Sequence, residues 1–426
     1  METNSNILLA DNEFATKGSY KNSYFHIFLD GNFNENLRLM TQESFGFFVH
    51  EYIHYLQNIT TIFGMKYSTY RYSTMYKMKS QIISSQLISL PIKIRQSQDE
   101  YNKAIDFQEA LGTNNSYTWI DEESVSIHIL KEDIENKERT KCEIHFKIPS
   151  EEKEQSVVFG AWHIKEGMSF MYQRFFDEDV NSDAIPYKLV EIIAKKKYPS
   201  IYEDKKKLIC ICYASLFDDF PAIAFFTLME LAENNPEFTG LDIVASVNNE
   251  VWIDKNGNEN TNNNYMDEVV NEFKKELSKN LVANLDAIDE ILNRVLFSKQ
   301  HFPILTAMYD KNFPTRTIFL DIVTYYGYTY IQAANGYFFP TTVKGQKDFD
   351  DIGIKNNHSS DDVLELIAQS AIEQTLCSKS RECPLQYMCI EEDLVDEYCY
   401  KSPWLHQQCI YTVAADYLNL KQKIKS

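Results

Sequence analysis

Apolar positions along the chain follow two periods, and the switches between them mark its elements. An aromatic run at 24–29 reads as a strand and leads to a helix starting near Thr41, a residue type that caps helix starts. In that helix Phe45, Phe48, Tyr52, Leu56, Ile59 and Phe63 recur every three or four residues, the mark of one apolar face. Residues 65–112 continue the helical pattern, interrupted at Pro91. Between 113 and 160 the period shortens to two. Val125, Ile127 and Ile129 alternate with Ser126, His128 and Leu130, and 140–148 and 155–160 read as strands in the same way. From 161 onward the pattern is mostly helical. Val270, Phe273, Leu277, Leu281, Leu285, Ile288, Leu292 and Val295 predict one long amphipathic helix packed on a core. The polar insertion 254–264 opens as D-x-N, but Gly257 stands at the fourth position, not the sixth that a calcium loop needs. Asn256-Gly257 predicts a hairpin turn instead.

Composition narrows the function classes. A chain of 426 residues suggests two or three domains, or one enlarged by insertions, and 44% hydrophobic residues can build a sizeable core. The net charge of −20 argues against a nucleic-acid binder and against docking on an anionic membrane, since both need a basic face. The most apolar stretch, 220–229, is half the roughly 20 residues that a membrane span requires. The start METNSNILLADNEF has neither the basic nor the apolar region of a secretory signal. Eight Cys without such a signal point to a reducing, cytoplasmic setting. No GxGxxG, GxxxxGK[ST] or GxSxG occurs.

The candidate chemistry sits in His50-Glu51-Tyr52-Ile53-His54, an H-E-x-x-H pattern. On a helix, residues four apart share a face, so two imidazoles can hold one metal ion. The Glu between them projects beside the ion, where it can take a proton from a water. With His50 at 0° on a helical wheel, His54 falls at about 40°, Gln57 at about −20° and Glu51 at about 100°. The apolar residues of the same helix lie between about 160° and 240°. One face thus enters a core while the other offers ligands.

Catalytic zinc takes three protein ligands, and no His follows at the position of an HExxHxxGxxH segment. The third ligand must come from elsewhere, and 159–173 is the best candidate: a strand ending at Phe159 leads into a helix. With Glu166 at 0°, Phe170, Gln173 and Asp177 lie within about 40°, opposite Ile164, Met168, Met171 and Phe175. His163, one turn earlier, competes with Glu166 for the ligand role.

These two segments resemble the zincin metallopeptidases, and more narrowly the gluzincins, in which a Glu on a second helix completes the HExxH site. Glu166-Gly167-Met168-Ser169 is similar to the second-helix motif of many such enzymes. The resemblance spans residues 24–176 and departs at Phe170, where the family often has an Asp that orients a His. It implies an α+β fold: a zincin-like catalytic lobe, 1–180, with a small mixed sheet and an HExxH helix, then a mainly helical lobe, 181–426. The cleft is expected between the helices carrying His50 and Glu166. It implies peptide hydrolysis with one zinc ion held by His50, His54 and Glu166. Glu51 acts as general base on a water held by the ion, and a Tyr or His stabilises the oxyanion. The run Tyr325-Tyr326-Gly327-Tyr328 offers one such donor. The expected partner is a protein or peptide substrate of narrow or regulated range, with a regulatory partner compatible and no nucleic acid or membrane. The rival class is a non-peptidase zinc protein, either a structural zinc module or a hydrolase of another amide or ester.

A second cluster lies near the end of the chain. Cys377, Cys383, Cys389, Cys399 and Cys409, with His406 among them, crowd one segment. A second metal or iron–sulfur site, a redox-sensitive thiol group and inert packing are all compatible with their spacing, which lacks a CxxC pair. Cys210-x-Cys212 sits in an apolar helical pattern and reads as core.

Overall fold

The computed structural model describes residues 18–21, 25–87, 97–134, 137–151, 153–254, 257–280, 286–327 and 329–338. The cysteine cluster at 377–409 lies outside the described residues. Strands β1 (Gly18–Lys21) and β2 (His26–Leu29) lead to helices α1 (Gln42–Thr60), α2 (Ile62–Ser84) and α3 (Gln98–Leu111). Strands β3 (Asp121–Ile134), β4 (Lys137–Lys147) and β5 (Glu154–Val158) follow. Helices α4 (Ala161–Arg174), α5 (Leu189–Lys197), α6 (Pro199–Tyr202), α7 (Lys205–Ser215), α8 (Pro221–Asn234) and α9 (Gly240–Asn249) come next. The hairpin β6 (Val251–Ile253) and β7 (Glu259–Thr261) precedes α10 (Asn262–Asn280), α11 (Asp286–Ser298), α12 (Pro303–Thr306) and α13 (Arg316–Tyr326). Strands β8 (Tyr330–Ala333) and β9 (Gly336–Phe338) complete the described chain. The fold is α+β, with small sheets and no closed barrel among the described residues.

The sheets answer to local and distant causes. Strands β3, β4 and β5 form an antiparallel sheet in chain order, because their alternating residues turn Val125, Ile144, Phe146 and Val157 to the core. The other main sheet has the order β1-β2-β8-β9 and is mixed, with β2 parallel to β8. The Asn335 side chain fastens this join, accepting from the Phe33 N–H and donating to the Phe33 carbonyl, each at 2.8 Å. Elements from both sides of residue 180 therefore share one sheet, and one apolar core runs from Phe25 to Ala333. Gly257 turns the β6–β7 hairpin with φ of 85°, the left-handed region where glycine costs least. The Asp254 carboxylate there accepts from the Asn258 backbone and side chain, as in a turn.

The single long helix expected across 270–295 is two helices. Lys274 Nζ lies 3.1 Å from Asp289 Oδ1 and 3.3 Å from Asn293 Oδ1. In one continuous helix, residues 19 apart would be separated by ~28 Å. The apolar stripe persists because α10 and α11 fold back on one another, each turning its share inward. Among the described residues, no helix is long and apolar enough to cross a membrane.

Helix α1 is buried without a break from Phe48 to Thr60. The Thr41 side chain caps it by accepting from the Ser44 N–H at 3.1 Å. Its apolar stripe meets α13: the Phe45, Phe48 and Tyr52 rings lie 5.7, 6.1 and 5.7 Å from Phe319. Such edge contacts are each worth ~0.5–1.5 kcal/mol beyond area burial, and Phe319→Ala would cost ~3–5 kcal/mol. Its polar face meets α4, which runs antiparallel. Asp177 faces Gly46, Gln173 faces His50, Ser169 faces His54, and Lys165 faces Gln57. A Cβ on Gly46 would sit 2.8 Å from the Asp177 Cβ, so glycine is what permits this close crossing.

Candidate metal centre

The seam between α1 and α4 brings together His50, His54 and Glu166. His50 Nε2 and His54 Nε2 are 3.1 Å apart, and each lies 3.2 Å from Glu166 Oε2. A tetrahedral zinc ion with bonds of ~2.0–2.1 Å sets its ligand atoms ~3.3–3.4 Å apart, so the three donors match one face of such a site. They can hold one divalent ion and leave a fourth position open. No other trio of His, Cys, Asp or Glu among the described residues comes together in this way.

Each ring is presented through its other nitrogen. His50 Nδ1 donates to Gln173 Oε1 at 3.1 Å, and His54 Nδ1 donates to Gln57 Oε1 at 2.9 Å. These bonds hold both rings with Nε2 turned to the shared point, and the tautomer protonated on Nδ1 is the one a bound metal would take. The Ser169 hydroxyl approaches His54 Nδ1 at 3.3 Å, and the Gln57 amide donates to the Lys165 carbonyl at 3.0 Å, locking one helix to the other. Burial pushes the Glu166 carboxyl up, but His54 and His50 outweigh it and hold it well below the usual carboxylate range. It is an anion, the form a metal needs.

Glu51, the expected proton carrier, is buried and turned toward β1. A Cβ on Gly18 would lie 2.8 Å from Glu51 Oε1, so the bare backbone of β1 forms the wall against which this carboxylate rests. His163 is not at the site. Its Nδ1 accepts the Gly160 N–H at 3.3 Å, closing the first turn of α4, and its ring stacks on Phe159. Of the two residues that competed for the third ligand, Glu166 is the one beside the His pair.

Tyr325 and Tyr326 are not donors to this site. The Tyr325 hydroxyl donates to the Arg294 carbonyl at 3.4 Å, and Tyr326 pairs with the Ser298 hydroxyl at 3.1 Å. The Gly327 carbonyl accepts from Tyr52, which leaves α1 on the face opposite the ligands; Tyr328 lies outside the described residues. A tyrosine that does lie near the centre is Tyr187, whose ring packs 5.7 Å from His50 and 5.8 Å from Phe170. Burial first, then the charges of Glu166, Glu51 and Asp183, push its hydroxyl far above its ordinary value, so it stays a proton donor. Phe170, standing where the resembled family often has an Asp, is the apolar support of that ring. Nothing local singles out Tyr187, because its segment reaches the site by pairing with a distant one: Ile185 and Tyr117 exchange backbone bonds of 3.0 and 3.1 Å. Gln57 and Gln173 did carry a signal, since both share the ligand faces of their helices.

No family model, curated protein or solved structure matches the chain.

Proposed function

We propose that the chain is a zinc-dependent metallopeptidase. The observation that carries this reading is a trio of ligand atoms within 3.2 Å of one another, two from one helix turn and one from a second helix, with a buried Glu one residue past the first ligand. The donor set of two neutral imidazoles and one carboxylate suits zinc, which when bound would polarise the scissile carbonyl and acidify a water. Glu51 takes the proton of the attacking water and returns it to the leaving amine. The wall formed at Gly18 keeps the Glu51 carboxylate from swinging away. The Tyr187 hydroxyl, kept protonated by burial, donates to the oxyanion. A structural zinc site has no use for a base beside it, so Glu51 favours the hydrolase over the structural module.

The test pairs metal analysis with product analysis. Wild type and Glu51→Gln are purified, their zinc is measured, and both are incubated with a proteome-derived peptide library read by mass spectrometry. Zinc is expected in both and cleavage in the wild type, with Glu51→Gln slower by about 10² or more. Zinc-free wild-type protein, or equal cleavage by the two, would overturn the assignment.

A further inference from the structure

The two imidazoles are held by neutral amides, and the two amides are not equivalent. Gln57 is fully engaged: its oxygen accepts from His54, while its NH2 donates to the Lys165 carbonyl at 3.0 Å and reaches Ser169 Oγ at 3.4 Å. His54 also has the Ser169 hydroxyl within 3.3 Å as a reserve partner. Gln173 is different. Only 2% exposed, it spends its oxygen on His50, while its Nε2 is buried with no hydrogen-bond partner. A buried donor without a partner is a standing cost to the fold. An apolar side chain of similar size would remove it, so stability does not account for a glutamine here.

We propose that Gln173 is a positioning residue that acts through His50, presenting its Nε2 to zinc at the expense of fold stability. The inference rests on the zinc reading above. With Gln173 in place an amide oxygen 3.1 Å from Nδ1 can accept the His50 ring proton there, so that Nε2 can open to an ion that competes with Glu166 for it. Without that acceptor, the proton is better placed on Nε2, where Glu166 accepts it at 3.2 Å. That nitrogen is then closed to metal, and zinc must first move the proton. Because Gln173 is neutral, it orients the ring without adding the electron push that a carboxylate would supply. With a carboxylate at 173, His50 would therefore hold the ion harder than it does beside the native glutamine.

Gln173→Leu, Gln173→Glu and Ser169→Ala, made in the full chain, separate this role from plain packing. Zinc affinity is measured by competition with a fluorescent chelator, and thermal midpoints are taken on metal-free protein. The expected order of affinity is Glu above Gln above Leu, with Leu about 10- to 100-fold weaker than wild type. The metal-free Leu protein should melt no lower than wild type, because the orphaned NH2 is gone and His50 can satisfy itself on Glu166. Ser169→Ala should move zinc affinity by less than about threefold, since Gln57 still holds His54. A Leu variant that binds zinc as wild type does, or that melts lower with zinc affinity intact, overturns the proposal and leaves Gln173 a packing residue. If the Leu protein does not fold, Gln173→Glu decides: tighter zinc supports the role, and equal or weaker zinc refutes it. Wild-type protein that binds no zinc sinks the metallopeptidase reading itself, a result distinct from any of these.

Discussion

His163 and Glu166 stand one turn apart on α4, and the burial of His163 turns their separate roles into a measurable pH dependence. The His163 side chain is fully buried, at 0% exposed, and its Nε2 finds no hydrogen-bond partner. Burial lowers its pKa to about 3, against an upward pull from Glu166. An unfolded histidine titrates near ~6.5. Below that pH the unfolded chain takes up a proton that the folded chain refuses until about pH 3. Stability contributed at neutral pH is therefore lost as pH falls through this window, at up to ~1.4 kcal/mol per unit. At pH 5 the loss from this one residue is ~2 kcal/mol, and over the whole window ~5 kcal/mol.

His163→Phe removes the titration while keeping a ring to stack on Phe159, now 5.6 Å away. The lost acceptor for the Gly160 N–H costs ~1 kcal/mol, but that cost does not change with pH. Urea unfolding of both proteins, in chelator, at several pH values between 7.5 and 5.0 isolates the histidine. Wild type should lose ~2 kcal/mol more than the variant over that span, because every contribution the two proteins share cancels. Unfolding curves whose pH dependences run parallel within ~0.5 kcal/mol would refute the buried, neutral His163. Zinc affinity should be the same in the two proteins. Its loss in His163→Phe would return the third ligand to His163.

Other perturbations address the remaining residues. Gly18→Ala places a methyl group 2.8 Å from Glu51 Oε1, a contact relieved by shifting the carboxylate ~0.6 Å. Peptide turnover should fall about 10-fold, with zinc content and melting midpoint unchanged; normal turnover would show that Glu51 is not held by β1. Glu166→Ala should weaken zinc binding, with excess zinc partly restoring cleavage, and His54→Ala should strip the ion while circular dichroism stays native. Full zinc occupancy in either variant would disprove its ligand role. Tyr187→Phe should lower kcat by ~10²-fold with KM little changed, the mark of a group used in the transition state. A loss confined to KM would make it a substrate contact instead.

What the sequence alone determined is angular. The period of apolar residues in α1 set His50, His54 and Gln57 on one face and Phe45, Phe48 and Tyr52 on the other. The same reasoning put Glu166 and Gln173 together on α4. These readings hold because rotation per residue in a helix is a local property of the backbone. The local signals also marked the Thr41 cap and the turn at Gly257. Tertiary structure decided which faces meet. Glu166 and His163 lie about 60° apart on the wheel, an angle too small to choose between until α4 docks antiparallel on α1. The break between α10 and α11 was hidden for a related reason: a stripe continues in phase whether the chain runs straight or doubles back. Gly18 against Glu51, Tyr187 beside His50 and β8 beside β2 leave no mark in local sequence, since their partners are 33, 137 and about 300 residues away. Such pairings are selected by apolar burial and backbone hydrogen bonding summed over the whole chain, a quantity no single segment contains.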